Sequence, residues 1–204
     1  YICHPSIANN ELSGPGLATF LAKWLHNRSN RFTYRFVFAP ETIGAIVYCA
    51  NNELQMKKIN SGFVVTTVGG PGSLGYKQSF DTNHSLNSIV EAVFKEEELE
   101  YIKYPFDIHG SDERQYCAPG IDLPIASIHR TKFGEYLEYH TSLDDLENVV
   151  TPEGLEGGYL AIKKAIEANS VRKMKKKMGA IGPKIGKILG KKCWLTHFYM
   201  YVEF

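Results

Sequence analysis

Residues 62–68, with the sequence GFVVTTV, form a short apolar run that ends at the glycine-rich segment 69–75, GGPGSLG. Valine, threonine and phenylalanine favour extended backbone, and a short apolar run bounded by turn residues is typical of a buried strand. The same pattern recurs at residues 32–38 (FTYRFVF) and 123–128 (LPIASI). These three runs predict buried strands of a central sheet. Residues 1–3 resemble the last residues of a further strand that begins before Tyr1.

Segments with apolar residues at helical spacing separate the predicted strands. Strands that alternate with helices of this length predict an α/β fold, in which helical layers cover both faces of a mostly parallel sheet as a three-layer sandwich. The predicted helices are residues 15–26, with Ser13 as N-cap, and residues 41–50, 85–99 and 152–168.

The composition is that of one globular domain. The chain has 204 residues, of which 44% are hydrophobic and 22% are charged, as expected for a domain that buries a sizeable core. It contains neither an apolar run long enough to span a membrane nor the basic-then-apolar pattern of a secretory signal. The four cysteines are far apart and form no CxxC pair. This spacing favours neither a zinc ribbon nor a disulfide framework, and it predicts a cytoplasmic protein.

The charges are distributed unevenly along the chain. Nine Lys or Arg and no acid lie between Arg172 and Lys192, whereas residues 1–171 carry 14 basic and 21 acidic residues, a net charge of −7. An acidic body does not favour nucleic-acid binding. We therefore predict a main domain over residues 1–170 and a basic, aromatic extension over 171–204.

The role of this extension stays open at the level of sequence. Its basic part is compatible with a membrane-surface helix, a nucleic-acid contact or a solvated continuation of the last helix. Its aromatic part, residues 194–204, has a strand-like pattern. The alternatives for this part are packing on the edge of the sheet or on a second subunit of a homo-oligomer.

Polar clusters follow the predicted strands. In open α/β sheets the ligand crevice lies outside the carboxyl ends of the strands, so clusters at several such ends favour a functional site. The clusters are residues 4–11, Glu41, residues 69–75, residues 110–116 (GSDERQY), and Tyr139 with His140.

The order of these motifs resembles that of the zinc-dependent aminopeptidases. His4, ANNELSG (8–14), FVFAPETIG (36–44), GSDERQY and YHTSLDDLEN (139–148) are similar to that family's histidine, NDNxSG turn, AEELG turn, SDH loop and HTxxD segment. The order is most similar to that of bacterial aminopeptidase-like domain proteins, which are often encoded near surface-polysaccharide genes. The resemblance covers residue 1 to about residue 168 and implies a zinc-aminopeptidase-like fold.

The resemblance implies a metal site with a general base. It makes His4 and His140 metal ligands, places Asn10 at the position of a metal-bridging aspartate, and makes Glu41 the general base. Imidazoles and carboxylates hold zinc and leave room for a water that a nearby Glu can deprotonate.

Several carboxylates of that family are replaced by neutral residues. Because neutral oxygens hold zinc poorly, the resemblance implies at most one weakly held zinc, with a carboxylate such as Glu11, Asp112 or Glu113 beside the histidines. The replaced positions hold Ser6, Asn10, Thr42 and either Thr66 or Thr67.

Two classes of function remain after this comparison. The first is a metal-dependent amide hydrolase that acts on a small peptide or an amino-sugar conjugate, with Glu41 and Asp112 as the catalytic residues. The second is a non-catalytic ligand-binding or scaffold domain associated with polysaccharide biosynthesis. The sequence leaves open whether the protein is an enzyme. The candidate substrate-binding residues are Glu113, Arg114, Arg130 and Tyr139, and Asp144 and Asp145 are candidate Asx-turn caps.

Overall fold

The computed structural model describes residues 2–107, 109–181 and 199–203, with side chains as far as Ser170. These residues form a six-stranded sheet in the order β1-β6-β2-β5-β3-β4. The pair β5 and β3 is antiparallel, and every other neighbouring pair is parallel. The predicted mostly parallel sheet is therefore confirmed. The strands are β1 Thr33–Val37, β2 Ile59–Val65, β3 Leu74–Lys77, β4 Tyr101–Tyr104, β5 Ile125–Arg130 and β6 Tyr199–Glu203.

The helices lie between the strands in the chain and cover both faces of the sheet. They are α1 Ser13–His26, α2 Ile43–Asn51, α3 Glu53–Met56, α4 Ser85–Glu96, α5 Glu113–Tyr116 and α6 Pro152–Ile181. A π-helical turn, Ala8–Leu12, directly precedes α1.

Two hydrophobic cores, one on each face of the sheet, define the three layers. Along β2, Phe63 and Val65 enter the core beneath α1, α4 and α6, whereas Val64 enters the core beneath α2 and α5. All three side chains are buried, and burial of each contributes about 1.5–3 kcal/mol. Successive side chains of β2 enter opposite cores, so helices pack on both faces of the sheet. This is the three-layer sandwich predicted from the sequence.

Two strand predictions need correction. The run at 32–38 was expected to be buried, but β1 is only half-buried because it is an edge strand of the sheet. The aromatic end of the chain was expected at the sheet edge or on a second subunit, whereas the backbone of β6 pairs with β1 on one side and β2 on the other. The sequence patterns did not predict β3 or β4.

The remaining differences are local. Ile2 and Cys3 lie outside the strands, although the Ile2 amide donates a hydrogen bond to the Ala39 carbonyl. Ser13 begins α1 but does not cap it, because its hydroxyl donates to Asn9 and accepts a hydrogen bond from the Val68 amide. The backbone of α6 continues through Ile181, and the predictions for 182–198 lie outside the described residues.

The sequence predicts neither a disulfide framework nor a membrane-spanning helix. Cys3, Cys49 and Cys117 are free thiols. Among the described residues, no helix combines the length and the apolar character needed to cross a membrane.

Candidate active site

The π-helical turn is held in place by a buried aspartate from a distant loop. The Asp144 carboxylate accepts hydrogen bonds from the backbone amides of Asn9 (2.6 Å) and Asn10 (3.1 Å). It also accepts one from the Tyr136 hydroxyl at 2.7 Å. Because π-helical turns leave backbone groups without the usual α-helical partners, a carboxylate that binds two amides stabilises this conformation.

Glu11, on the same turn, carries a buried carboxylate that touches His4. Its Oε1 lies 2.8 Å from His4 Nδ1 and 3.1 Å from the Asn10 Nδ2 donor. Its Oε2 accepts a 2.7 Å hydrogen bond from the Cys3 backbone amide. Three neighbours therefore fix the position of this carboxylate.

His140 lies against His4. The ring centroids of the two imidazoles are 4.3 Å apart, and the ring of Tyr139 stacks on His140 at 3.9 Å. His140 has a φ of 58°, a left-handed conformation that is costly for a residue other than glycine and is frequent at functional sites. Burial and the nearby His4 charge lower the pKa of His140. The structure brings the two histidines together, and their role as metal ligands stays a prediction.

Glu41 and Asp112 come together through Thr42. The Thr42 amide donates a 2.6 Å hydrogen bond to Asp112 Oδ1, and Thr42 itself has a left-handed φ of 61°. Burial raises the pKa of Glu41, and the negative charge of Glu11 raises it further. Burial also raises the pKa of Asp112 to about 6, with the charges of Glu41 and Glu113 adding to the effect. The site therefore holds two carboxyl groups that exchange protons closer to neutral pH than usual.

Glu113 does not face a ligand surface, whereas Arg114 is half-buried near Glu41 and its substrate-binding role stays a prediction. Glu113 is fully buried, and its Oε1 lies 3.0 Å from the Nζ of Lys77, which is also buried. Lys77 contacts Asp107 at 3.0 Å as well. The Nε of Arg114 donates to the Ser111 carbonyl of its own loop. Glu113 therefore belongs to a buried ion pair that ties the GSDERQY loop to β3.

The structure does not group Arg130 with the histidines. Arg130 ends β5 and lines a separate cavity with residues of β3 and β4. Of the candidate substrate-binding residues, Tyr139 directly adjoins the histidine pair.

The role of Asp144 is not evident from its local sequence. The sequence predicts turn caps at both Asp144 and Asp145, and Asp145 does accept hydrogen bonds from the amides of Glu147 and Asn148. Asp144 instead reaches the π-helical turn. The HTxxD pattern marks this position, but a contact with backbone amides far away in the chain leaves no pattern in the sequence.

Comparison with known families gives a match over most of the chain. A family described as "Domain of unknown function (DUF4910)" matches residues 1–171. The chain belongs to this family. A relative of this DUF4910 chain in Clostridium acetobutylicum is 43% identical over 159 residues. Its name assigns it to polysaccharide biosynthesis and gives it an aminopeptidase-like domain. The match covers 78% of this chain and 36% of the relative, so the chain spans about a third of the relative's length.

Solved structures support the same fold. A crystal structure from C. acetobutylicum, named as a peptidase, has 40% identity and a TM-score of 0.79 over 82% of this chain and 39% of its own. A zinc aminopeptidase from Bacillus subtilis has 14% identity and a TM-score of 0.52 over 62% of this chain and 32% of its own. This second likeness shows the fold alone. The predicted resemblance to aminopeptidase-like domain proteins is confirmed.

The donor atoms beside the π-helical turn suit a zinc ion. One possible ligand atom each from Cys3, His4 and Glu11 lies within 4.8 Å of the others. Thiolate sulfur, imidazole nitrogen and carboxylate oxygen are the donors that zinc takes in proteins. The residues present therefore fit this metal.

Proposed function

We propose that this chain is a zinc-dependent amide hydrolase domain that holds one metal ion and uses Glu41 as general base. The observation that supports it best is the pairing of His4 with His140, whose ring centroids are 4.3 Å apart, next to the buried carboxylate of Glu11. Two imidazoles beside one carboxylate resemble the three protein ligands of catalytic zinc sites.

The proposed ligands are His4 and Glu11 of the donor cluster together with His140, whose ring lies against His4. The Cys3 thiol belongs to the same cluster, but burial and the nearby carboxylates raise its pKa and favour the protonated form, so it is not a proposed ligand. The resemblance implies a ligand position for Asn10, but the Asn10 side-chain amide donates a hydrogen bond to Glu11. We therefore propose Glu11 as the carboxylate of the site and Asn10 as the residue that orients it.

A second zinc is not part of the proposal because the nearby hydroxyl groups have other partners. Thr66 Oγ1 donates to the Asn10 carbonyl, and Thr67 Oγ1 lies 3.2 Å from His129 Nδ1. Neutral hydroxyls do not replace the anionic ligands that a second dication requires.

The protein side chains have distinct roles in this proposal. A bound zinc would supply Lewis acidity and lower the pKa of a coordinated water. Burial raises the pKa of Glu41, so this carboxylate accepts a proton more readily than an ordinary one, as a general base must. The lowered pKa of His140 keeps its imidazole neutral and able to act as a ligand, and stacking on Tyr139 fixes its plane. Burial and nearby carboxylates raise the pKa of Tyr139 to about 12, so its phenol stays protonated and can donate a hydrogen bond.

The proposed substrate is the amide bond of a small peptide or an amino-sugar conjugate. The support is the name of the C. acetobutylicum relative, which joins polysaccharide biosynthesis to an aminopeptidase-like domain. Asp112, beside Glu41, is the proposed partner for a substrate ammonium group. Its Oδ2 is buried and has no hydrogen-bond partner among the described residues.

Zinc titration with elemental analysis tests this proposal. We expect at most one zinc per chain, with affinity reduced about tenfold or more in His140→Ala and Glu11→Gln. His26→Ala removes an exposed histidine at the end of α1 and serves as the matched control, with unchanged zinc affinity. Two tightly held zinc ions per chain would contradict the one-metal site. No binding at any zinc concentration would leave the non-catalytic ligand-binding alternative, which a thermal-shift screen of peptides and amino sugars would then examine.

A further inference from the structure

Arg130 carries a guanidinium group whose charge has no partner among the described residues. Within the described part of the chain its side chain forms no ion pair, and its Nε is buried without a hydrogen-bond acceptor. Burial of a charged donor without a partner is unfavourable, and such groups in native structures call for an explanation. An anion that contacts the terminal nitrogens of this guanidinium would balance its charge.

The guanidinium is held in place by the packing around it. It lies against α6 at Gly157, where an added Cβ would be 2.7 Å from Arg130 Nη1 and 3.0 Å from its Cζ. On the other side of the residue, the Arg130 backbone amide donates to the Thr67 carbonyl at 2.6 Å. A long side chain that is already fixed loses less conformational entropy when it binds a ligand.

The cavity beside Arg130 has the size and chemistry of a ligand site. Its volume is about 400 Å³, within the range of small-molecule sites. Among the residues that line the cavity, Arg130 is positively charged and Glu100 is negatively charged. The lining residues are Gly72, Ser73, Leu74, Glu100, Tyr101, Ile102 and Arg130.

One wall of this cavity is a tightly packed loop. An added Cβ at Gly70 or Gly72 would lie 2.3 or 2.6 Å from Thr131 Oγ1, so the loop can approach Thr131 this closely only with glycine. The same Cβ at Gly70 would be 3.2 Å from Asn9 Nδ2, on the π-helical turn. The loop therefore contacts the π-helical turn as well as the residue that follows Arg130.

We propose that this cavity binds an oxyanion, the phosphate or carboxylate group of a ligand, through the guanidinium of Arg130. The two terminal nitrogens of the planar guanidinium match two oxygens of such a group. The exposed Ser73 offers a hydroxyl at the same cavity.

The negative charge of Glu100 repels an anion at this site, but it does not cancel the attraction by the positive charge of Arg130. Its side chain is exposed, so water and salt screen its charge, whereas the Arg130 Nε is buried and is screened far less. The attraction by Arg130 therefore exceeds the repulsion by Glu100, and removal of Glu100 strengthens binding.

Titration with inorganic phosphate, at constant ionic strength and with chloride as the reference anion, tests the site. The readout is the Nε–H resonance of Arg130 in nitrogen–proton correlation spectra, and a parallel titration with acetate distinguishes a phosphate from a carboxylate preference. We expect a saturable shift with at least one of these anions. Arg130→Gln should weaken binding about tenfold or more, with Arg130→Lys in between and Glu100→Gln tighter than wild type.

Arg31→Gln, which removes an exposed arginine beside β1, is the matched control and should bind like wild type. A shift no larger than that with chloride, or equal weakening in Arg31→Gln and Arg130→Gln, would overturn the proposal. If Arg130→Gln does not fold, the tighter binding expected of Glu100→Gln decides the question. None of these readouts requires zinc or turnover, so the test of this site is independent of the proposed hydrolase function.

Discussion

Asp144 Oδ1 accepts a 2.6 Å hydrogen bond from the backbone amide of Asn9, 135 positions earlier in the chain. The second oxygen of this carboxylate binds the Asn10 amide and the Tyr136 hydroxyl. One buried side chain therefore joins the π-helical turn, which carries Glu11, to the loop that carries His140. The geometry of the candidate site depends on this connection.

Asp144→Asn should destabilise the fold by about 2–4 kcal/mol. An asparagine retains one acceptor, but it loses the charge and turns an NH₂ group toward a buried donor. Urea unfolding measures the effect, and Glu147→Gln, an exposed acid three positions later, is the control with little expected change. An unfolding midpoint of Asp144→Asn equal to that of wild type would show that the connection is not needed for stability.

The raised pKa of Asp112, about 6 against an ordinary value of 3.8, predicts a pH dependence of stability. Between these values the folded state binds more protons than the unfolded state, so the stability from this group is largest below pH 3.8 and is lost as the pH rises through 6. Wild type should therefore lose, relative to Asp112→Asn, on the order of 2–3 kcal/mol between pH 4 and pH 7.5.

Urea unfolding of both proteins at the two pH values provides this comparison. Asp122→Asn, at an exposed position, should follow the pH trend of wild type. A constant difference between wild type and Asp112→Asn at pH 4 and pH 7.5 would mean that Asp112 does not titrate in this range.

Because Lys77 and Glu113 form a buried ion pair, removal of one partner should destabilise the fold much more than replacement of both. Both side chains are buried, with exposed fractions of 1% and 0%. Lys77→Met leaves the Glu113 carboxylate buried without its cation and should cost about 3–5 kcal/mol, whereas adding Glu113→Leu should recover much of this loss.

The matched control for this pair is Lys57→Met, which breaks the Lys57–Glu53 pair on the surface, where both side chains are 65% exposed. Exposed pairs contribute little, so we expect no measurable change. A Lys77→Met protein as stable as the Lys57→Met protein would rule out a structural role for the buried pair.

The same ion pair explains one limit of sequence-based prediction. The strand β3, Leu74–Lys77, has four residues, one glycine and a lysine, and it begins within the glycine-rich segment 69–75, which is typical of a loop. Lys77 is buried because Glu113 accompanies it, and no local pattern reveals a partner in a distant loop. The strands β2 and β5 could be predicted because their own apolar side chains drive their burial.

The position of β6 illustrates a second limit. Its aromatic, strand-like pattern predicted extended backbone correctly, but the pattern does not state which strands it joins. Pairing with both β1 and β2 depends on contacts between distant parts of the chain. For the site, the rule that ligands bind at carboxyl ends of strands led to His4 and His140, whereas the capping of the π-helical turn by Asp144 required the structure.

The last prediction concerns two glycines in the first turn of α1, which should respond in opposite directions to alanine. An added Cβ at Gly14 would lie 2.4 Å from the Val65 carbonyl oxygen at the end of β2, so α1 can approach the sheet here only without a side chain. Gly14→Ala should therefore force the helix away and cost about 1–3 kcal/mol. At Gly16 an added Cβ meets nothing within 4 Å, and Gly16→Ala should stabilise the fold by about 0.5–1 kcal/mol through helix propensity and a less flexible unfolded chain.

Because α1 directly follows the turn that carries Glu11, zinc affinity should fall in Gly14→Ala and stay unchanged in Gly16→Ala. Thermal unfolding and zinc titration of the two variants measure both effects, and a stable Gly14→Ala protein would show that the close contact between α1 and β2 can relax without cost.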